Sequence, residues 1–259
     1  MFYSFPLAKI LGLFLIVIRF TIIIYMVPIY GEINIPKSLR VLFSVAMAMP
    51  FLSTTYVDNF SLSSYSIESI LFYTGKEVGL GLCIGFLCKM IFEGFFNTAN
   101  IIGYQMGFGT ASLFISEFET QTNSFSAIHR MIIMLLFYTL NLHHVIIQAL
   151  YKVLHILPVG KVFINTKILA LNMYSINDFN NLTLMLGAPI LIMLIIVTFL
   201  LGLISRAMPQ MNIFSLSFPA SFIIGTVIYL CCLGSMPDTV AAAIMNLTKK
   251  ILLIAEFGS

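Results

Sequence analysis

From Leu182 to Ile204 the chain carries not one charged residue, and most of its side chains are aliphatic. Crossing the hydrocarbon core of a bilayer takes a helix of about 20 predominantly apolar residues, which this run supplies. Lipid offers no partner for peptide groups, so a continuous apolar run without strand-like alternation satisfies its own backbone by forming a helix. The stretches Leu7 to Tyr30 and Ile213 to Gly234 have the same character, interrupted by Lys9, Arg19 and Pro28 in the first and by Pro219 in the second. Across all 259 residues, 60% are hydrophobic and 9% charged, and the mean hydropathy is +1.04, far outside the range of a soluble domain. The fold class expected is an all-α polytopic membrane protein of helical hairpins, forming one domain over residues 1–259. The first run is too long for a signal peptide and lacks a small-residue cleavage site, so it is expected to stay in the mature protein.

The long stretch from Ile67 to about Tyr104 contains no proline and reads as one helix of about 38 residues, nearly twice as long as the hydrocarbon core is thick. Gly75 with Gly79, and Gly81 with Gly85, form two pairs of small residues four apart, which let another helix backbone approach closely. Further along, Lys89, Glu93, Asn97 and Asn100 recur at helical spacing, giving a polar face that lipid would not tolerate. Ahead of this helix, Pro28, Gly31 and Pro36 end the first span. The run from Val41 to Tyr56 is short for a crossing and suits one only by tilting or inside a protein assembly.

Beyond it, the stretch Gly103 to Phe125 reads as a non-helical plug between two apolar arms, with its loop at about residues 105–123. Gly107 and Gly109 supply backbone freedom, and Met106, Phe108, Leu113, Phe114, Ile115 and Phe118 supply bulk. Gln105, Thr110, Ser112 and Gln121 are placed to satisfy peptide groups released from helix. Composition alone also fits an external loop, but six bulky apolar side chains argue against free exposure to water. Phe125 to Leu157 reads as a returning helix ended by Pro158 and Gly160. Lys161 to Asn181 reads as a loop or interfacial helix, and Ser205 to Asn212 as a tight turn. In the amphipathic tail, about 238–259, Val240, Ala243, Ile244, Leu247, Ile251 and Ile254 share one stripe, suited to a membrane surface or a partner helix.

Arg19 is the most constraining charge, because an arginine in mid-span costs about 2.5–3.5 kcal/mol on insertion scales and so requires a partner. Glu77 is the first choice of counter-ion and Glu93 the second, making a helix-to-helix lock. His143 and His144 are chain neighbours that point about 100° apart on a helix, so they read as core or interface histidines rather than as two ligands of one metal. The cysteines at 83, 88, 231 and 232 lie in apolar segments with neither metal-site nor disulfide spacing. No nucleophile motif, phosphate-binding glycine loop or catalytic carboxylate pair is present, so no enzyme, cofactor or metal site is expected. The net charge of +3, with no basic run beyond Lys249-Lys250, points to no nucleic acid.

Taken in order, Arg19, Pro28, Gly31, Pro36 and Arg40, then Glu77-Val-Gly79-Leu-Gly81 and Gly85-Phe86, then Gln105-Met106-Gly107, Gln121, Phe137, His143 and Leu157-Pro158-Val159-Gly160 resemble the FliR family. That flagellar family is grouped with the SctT subunits of virulence-associated type III secretion. The similarity runs from the first span to the C-terminus. The chain departs from the family at Ile115-Ser116-Glu117, where an Asp-Pro is common. The resemblance implies a core subunit of a helical export gate in the bacterial inner membrane, at the flagellar basal body. It also implies assembly with FliP-like and FliQ-like subunits, contact with an FlhB-like subunit, and a loop that plugs a channel for unfolded polypeptide. An injectisome subunit is the alternative within that reading. A secondary transporter is a more distant one, since neither paired repeats nor a charged midplane site is visible.

Overall fold

The computed structural model describes residues 7–27, 36–53, 67–108, 124–163, 165–208, 210 and 213–258. Among these, all regular structure is helical. The helices are α1 (Leu7–Met26), α2 (Lys37–Ala48), α3 (Ile67–Gln105), α4 (Ser124–Thr139), α5 (Leu142–Ile156), α6 (Thr166–Ala207), α7 (Ile213–Cys232) and α8 (Met236–Gly258). Short 3₁₀ turns follow α2 at Met49–Ser53 and α7 at Leu233–Ser235. Four stretches among the described residues are long and apolar enough to cross a membrane, and the broken pair α4 and α5 makes a fifth if it counts as one span.

One sequence expectation changes and two are narrowed. The run from Phe125 to Leu157 is not one helix: it breaks at Asn141, whose φ of 54° lies in the left-handed region. Asparagine tolerates that region better than most residues, because its short side chain makes local hydrogen bonds. The segment Lys161 to Asn181 is mostly helical, since α6 starts at Thr166 and runs for 42 residues through Pro189. Its start is capped by Asn165, whose side-chain oxygen accepts the Ile168 N–H at 3.1 Å. The run after Arg40 yields a 12-residue helix that tightens into a 3₁₀ turn at Met49 and Pro50, about 18 Å of α-helix and too short to cross by itself.

The chain divides into two compact units, each drawn from separated stretches. The first comprises Met1–Phe92, His143–Asn177 and Ile244–Ser259; the second comprises Glu93–Leu142 and Asp178–Ala243. In the first, α1 packs on α2 and on the first part of α3, with Ile16, Phe20, Ile23, Leu80 and Ile84 among the fully buried side chains. The end of α8 is held there too, by the Phe163 N–H to the Gly258 carbonyl at 3.1 Å and by the Asn165 side-chain amide to the Phe257 carbonyl at 2.8 Å. In the second unit, Phe95, Phe96, Ile133, Phe137, Ile190 and Leu194 are buried. The apolar stripe of α8 is buried within the fold from Val240 to Ile254, while Asn246 and Lys249 stay exposed.

Candidate functional site

Two constellations carry the chemistry, one in each unit. In the first unit, Glu77, Gly81 and Gly85 lie four residues apart, so they share one face of α3. A Cβ added at Gly81 would stand 3.2 Å from the Arg19 carbonyl oxygen, and one at Gly85 would stand 2.7 Å from the Met26 Cβ. Both glycines therefore let the α1 backbone come closer than any side chain would allow. The turn of α1 brought closest carries Arg19, and its Nε donates to Glu77 Oε2 at 2.6 Å. Both side chains are essentially inaccessible, at 1% and 0% exposure.

The pair reaches further than two helices. Arg19 Nη1 donates to the Leu157 carbonyl at 3.3 Å, and the second Glu77 oxygen accepts the Gly160 N–H at 3.0 Å. Gly160 has a φ of 80°, which places its N–H toward the carboxylate in a turn that begins at Pro158. One ion pair thus ties α1, α3 and the turn after α5. Removing one charge from such a pair leaves the other buried and uncompensated, at a cost of about 3–5 kcal/mol. Glu93 lies further along α3, half-buried, in the second unit. Among the described residues nothing lies within 4 Å of a Cβ added at Gly75, and Gly79 is half-buried. Sequence reasoning missed Gly160 as a partner of Glu77; the Pro-x-Gly turn was its visible signal.

In the second unit, α3 ends at Gln105 and the backbone turns at Gly107, with a φ of 94° and its N–H bonded to the Tyr104 carbonyl at 3.0 Å. Met106 is fully buried, its Cγ 2.9 Å from where a Gly225 Cβ would stand. It therefore anchors the end of α3 against α7. The ring of Phe108 lies 5.7 Å from that of Phe222 and 6.4 Å from those of Phe125 and Phe218. Phe125 in turn meets Tyr229 edge-on at 4.9 Å, and the Tyr229 hydroxyl is hydrogen-bonded to His129 Nδ1 at 2.8 Å. A pocket of about 280 Å³ opens beside Gly107, lined by Gln105, Thr198, Ser217, Phe218 and Ser221 among others. Gly109, Leu113, Phe114, Ile115 and Phe118, with Thr110, Ser112 and Gln121, lie outside the described residues. The rings gathered on Phe108 were not foreseen, although Phe218 with Phe222 and Phe125 with His129 are each four apart on a helix.

Hydroxyls bring helices together elsewhere in this unit. Thr98 and Thr183 both donate to the Gly94 carbonyl, at 2.9 and 3.1 Å. A Cβ at Gly94 would sit 3.3 Å from the Phe179 carbonyl oxygen, so this too is a close helix contact. In the polar series on α3, Lys89 is exposed, and Asn97 and Asn100, like Glu93, are half-buried.

Span-length helices, close contacts made through glycine and a charge sealed between them define an all-α polytopic membrane protein. Residues 10–247 match the family described as bacterial export proteins, family 1, and the chain belongs to that family. Its relatives include the flagellar biosynthetic protein FliR of Buchnera aphidicola subsp. Schizaphis graminum, 29% identical over 205 residues, covering 78% of this chain and 77% of that one. FliR of Escherichia coli K12 is 29% identical over 224 residues, covering 86% and 80%. The Yop proteins translocation protein T of Yersinia pestis is 27% identical over 190 residues, covering 72% of each chain.

Proposed function

We propose that this protein is a core subunit of the flagellar type III protein export gate in the bacterial inner membrane, at the base of the flagellum. The observation that carries the reading is the family match over residues 10–247, joined by flagellar relatives that align with most of the chain. In this reading the chain performs no catalysis. It assembles with FliP-like and FliQ-like subunits, contacts an FlhB-like subunit, and lines a passage for unfolded polypeptide. Arg19 and Glu77 lock the helices of one unit, and Gly81 and Gly85 set their approach. Met106 and Gly107 are the root of a plug, with Phe108, Gly109, Leu113, Phe114, Ile115 and Phe118 forming the obstruction, since bulky apolar side chains close a narrow pore by excluding water.

Expression of the chain in a bacterium lacking its own FliR tests this. Restored swimming, with FliP-like and FliQ-like subunits recovered on the purified chain, supports the reading; membrane insertion without either outcome overturns it. The likeness to the Yersinia translocation protein favours a second reading, an injectisome subunit. Rescue of a secretion strain lacking that protein, without rescue of swimming, would select it.

A further inference from the structure

The two outward faces of the broken and the long helix differ in kind. On α6 the exposed side chains include Ile192, Ile195, Phe199, Leu200 and Leu203, a surface that acyl chains cover at no cost. On α5 the exposed side chains are, in order, His144, Gln148, Tyr151, Lys152 and His155, followed only by Ile156 at the helix end. At 100° per residue these five fall within about 100° of the helix circumference, one continuous polar stripe. The opposite face is buried through Ile146, Ala149, Leu150, Val153 and Leu154. Together with α4, this helix belongs to a segment apolar enough to enter a membrane. Lipid does not tolerate such a stripe at depth, so protein or water must cover it.

We propose that the stripe on α5 is a docking surface for a membrane helix of another subunit that presents carboxylates to Lys152 and its flanking imidazoles. Charge complementarity names the occupant. The helix Leu142–Ile156 contains no Asp or Glu, and among the described residues Lys152 makes no ion pair. Its single cation lies between His144 and His155, so the face has one sign to offer. The stripe is also held in shape. The Tyr151 ring lies 5.4 Å from Phe51 and 4.5 Å from His155, and the His144 ring lies 4.1 Å from His143. Rings already fixed by neighbours lose little freedom on binding, and tyrosine is enriched where proteins meet. An open aqueous face has no use for that order.

The inference rests on the reading above only in that the chain works inside a membrane assembly. The test uses the full chain in native membranes, treated with a membrane-permeant carbodiimide that joins an amine to a carboxylate in direct contact, followed by peptide mass spectrometry. The expected product links Lys152 to an Asp or Glu within a membrane helix of another chain, and it disappears in Lys152→Gln. Lys152→Glu should reduce recovery of that subunit, and exchanging the acceptor carboxylate for lysine should restore it. Three results overturn the proposal: modification of Lys152 by a water-soluble amine reagent in the assembled complex, which marks an aqueous passage; a diazirine lipid adduct on α5; or no Lys152 link in membranes where the complex is assembled. Swimming of the rescued strain is read separately, so a failed link with normal swimming removes this surface and leaves the function standing.

Discussion

The centres of the two units solve one problem in different currencies. The first is charged and directional: a buried side chain from α1, another from α3 and two backbone groups of the Leu157–Gly160 turn bond to one another. The second is neutral and shaped by volume, with aromatic rings around Phe108 and a methionine filling the space that Gly225 leaves. A directional centre accepts no one-sided change, because desolvating an unmatched charge costs more than any single packing contact returns. A centre built from rings and glycines degrades in proportion to the atoms displaced, since neighbours can shift. The first therefore fixes geometry, whereas the second is the one able to rearrange.

The sharpest way to break this contrast is Glu77→Ala. It should cost about 3–5 kcal/mol of stability, read by thermal unfolding in detergent and by the amount of chain retained in the membrane. Arg19→Met with Glu77→Leu should recover most of that loss. A double variant as unstable as the single would show that the pair's charge is not what matters. Next comes Gly107→Ala, where a φ of 94° disfavours any Cβ and the Phe218 ring stands 2.6 Å from its place. About 1–2 kcal/mol is expected from the backbone alone. Because Phe218 is partly exposed and held by ring contacts among the described residues, it can yield to the added methyl, so the effect should be smaller than at Glu77; an equal or larger loss would place the rigid centre in the second unit. The smallest effect expected is for Tyr229→Phe, which removes the hydroxyl bonded to His129 and leaves that buried nitrogen unmatched, at about 1 kcal/mol, the low end for such a loss, while the ring contact with Phe125 stays in place.

Much of the first unit was legible in the sequence, for a physical reason. A charge in an apolar span demands a partner and few partners exist, so the sequence narrows the choice for Arg19 to Glu77 or Glu93, and the structure places it on Glu77. Glycines four apart similarly announce a close helix contact, and at Gly81 and Gly85 the structure shows one with α1. Gly75 follows the same spacing but meets nothing among the described residues, because spacing says which residues share a face and not what lies opposite. In the second unit little was legible beyond the end of α3 and the turn at Gly107. Apolar rings carry no requirement for a particular partner, so the grouping of Phe108, Phe125, Phe218 and Phe222 depends on how the helices pack. The polar content of Lys161 to Asn181 left a loop and an interfacial helix open, because asparagine and serine also sit within helices when their side chains bond to a carbonyl a turn back. Asn172 and Ser175 do this, reaching the carbonyls of Ile168 and Asn172.

The break at Asn141 separates two events in the making of this protein. The machinery that places chains in membranes weighs hydropathy over windows of about 19 residues. To such a reader Ser124 to Ile156 is one apolar stretch, with neither proline nor glycine to divide it. The left-handed turn at Asn141 leaves no mark in hydropathy; it lies between Ile133 and Phe137, buried on one side of it, and Ile146 and Leu150, buried on the other. Entry into the membrane and arrival at the final path of the chain are thus set by different residues, so a substitution at Asn141 is a way to let the first succeed while the second fails.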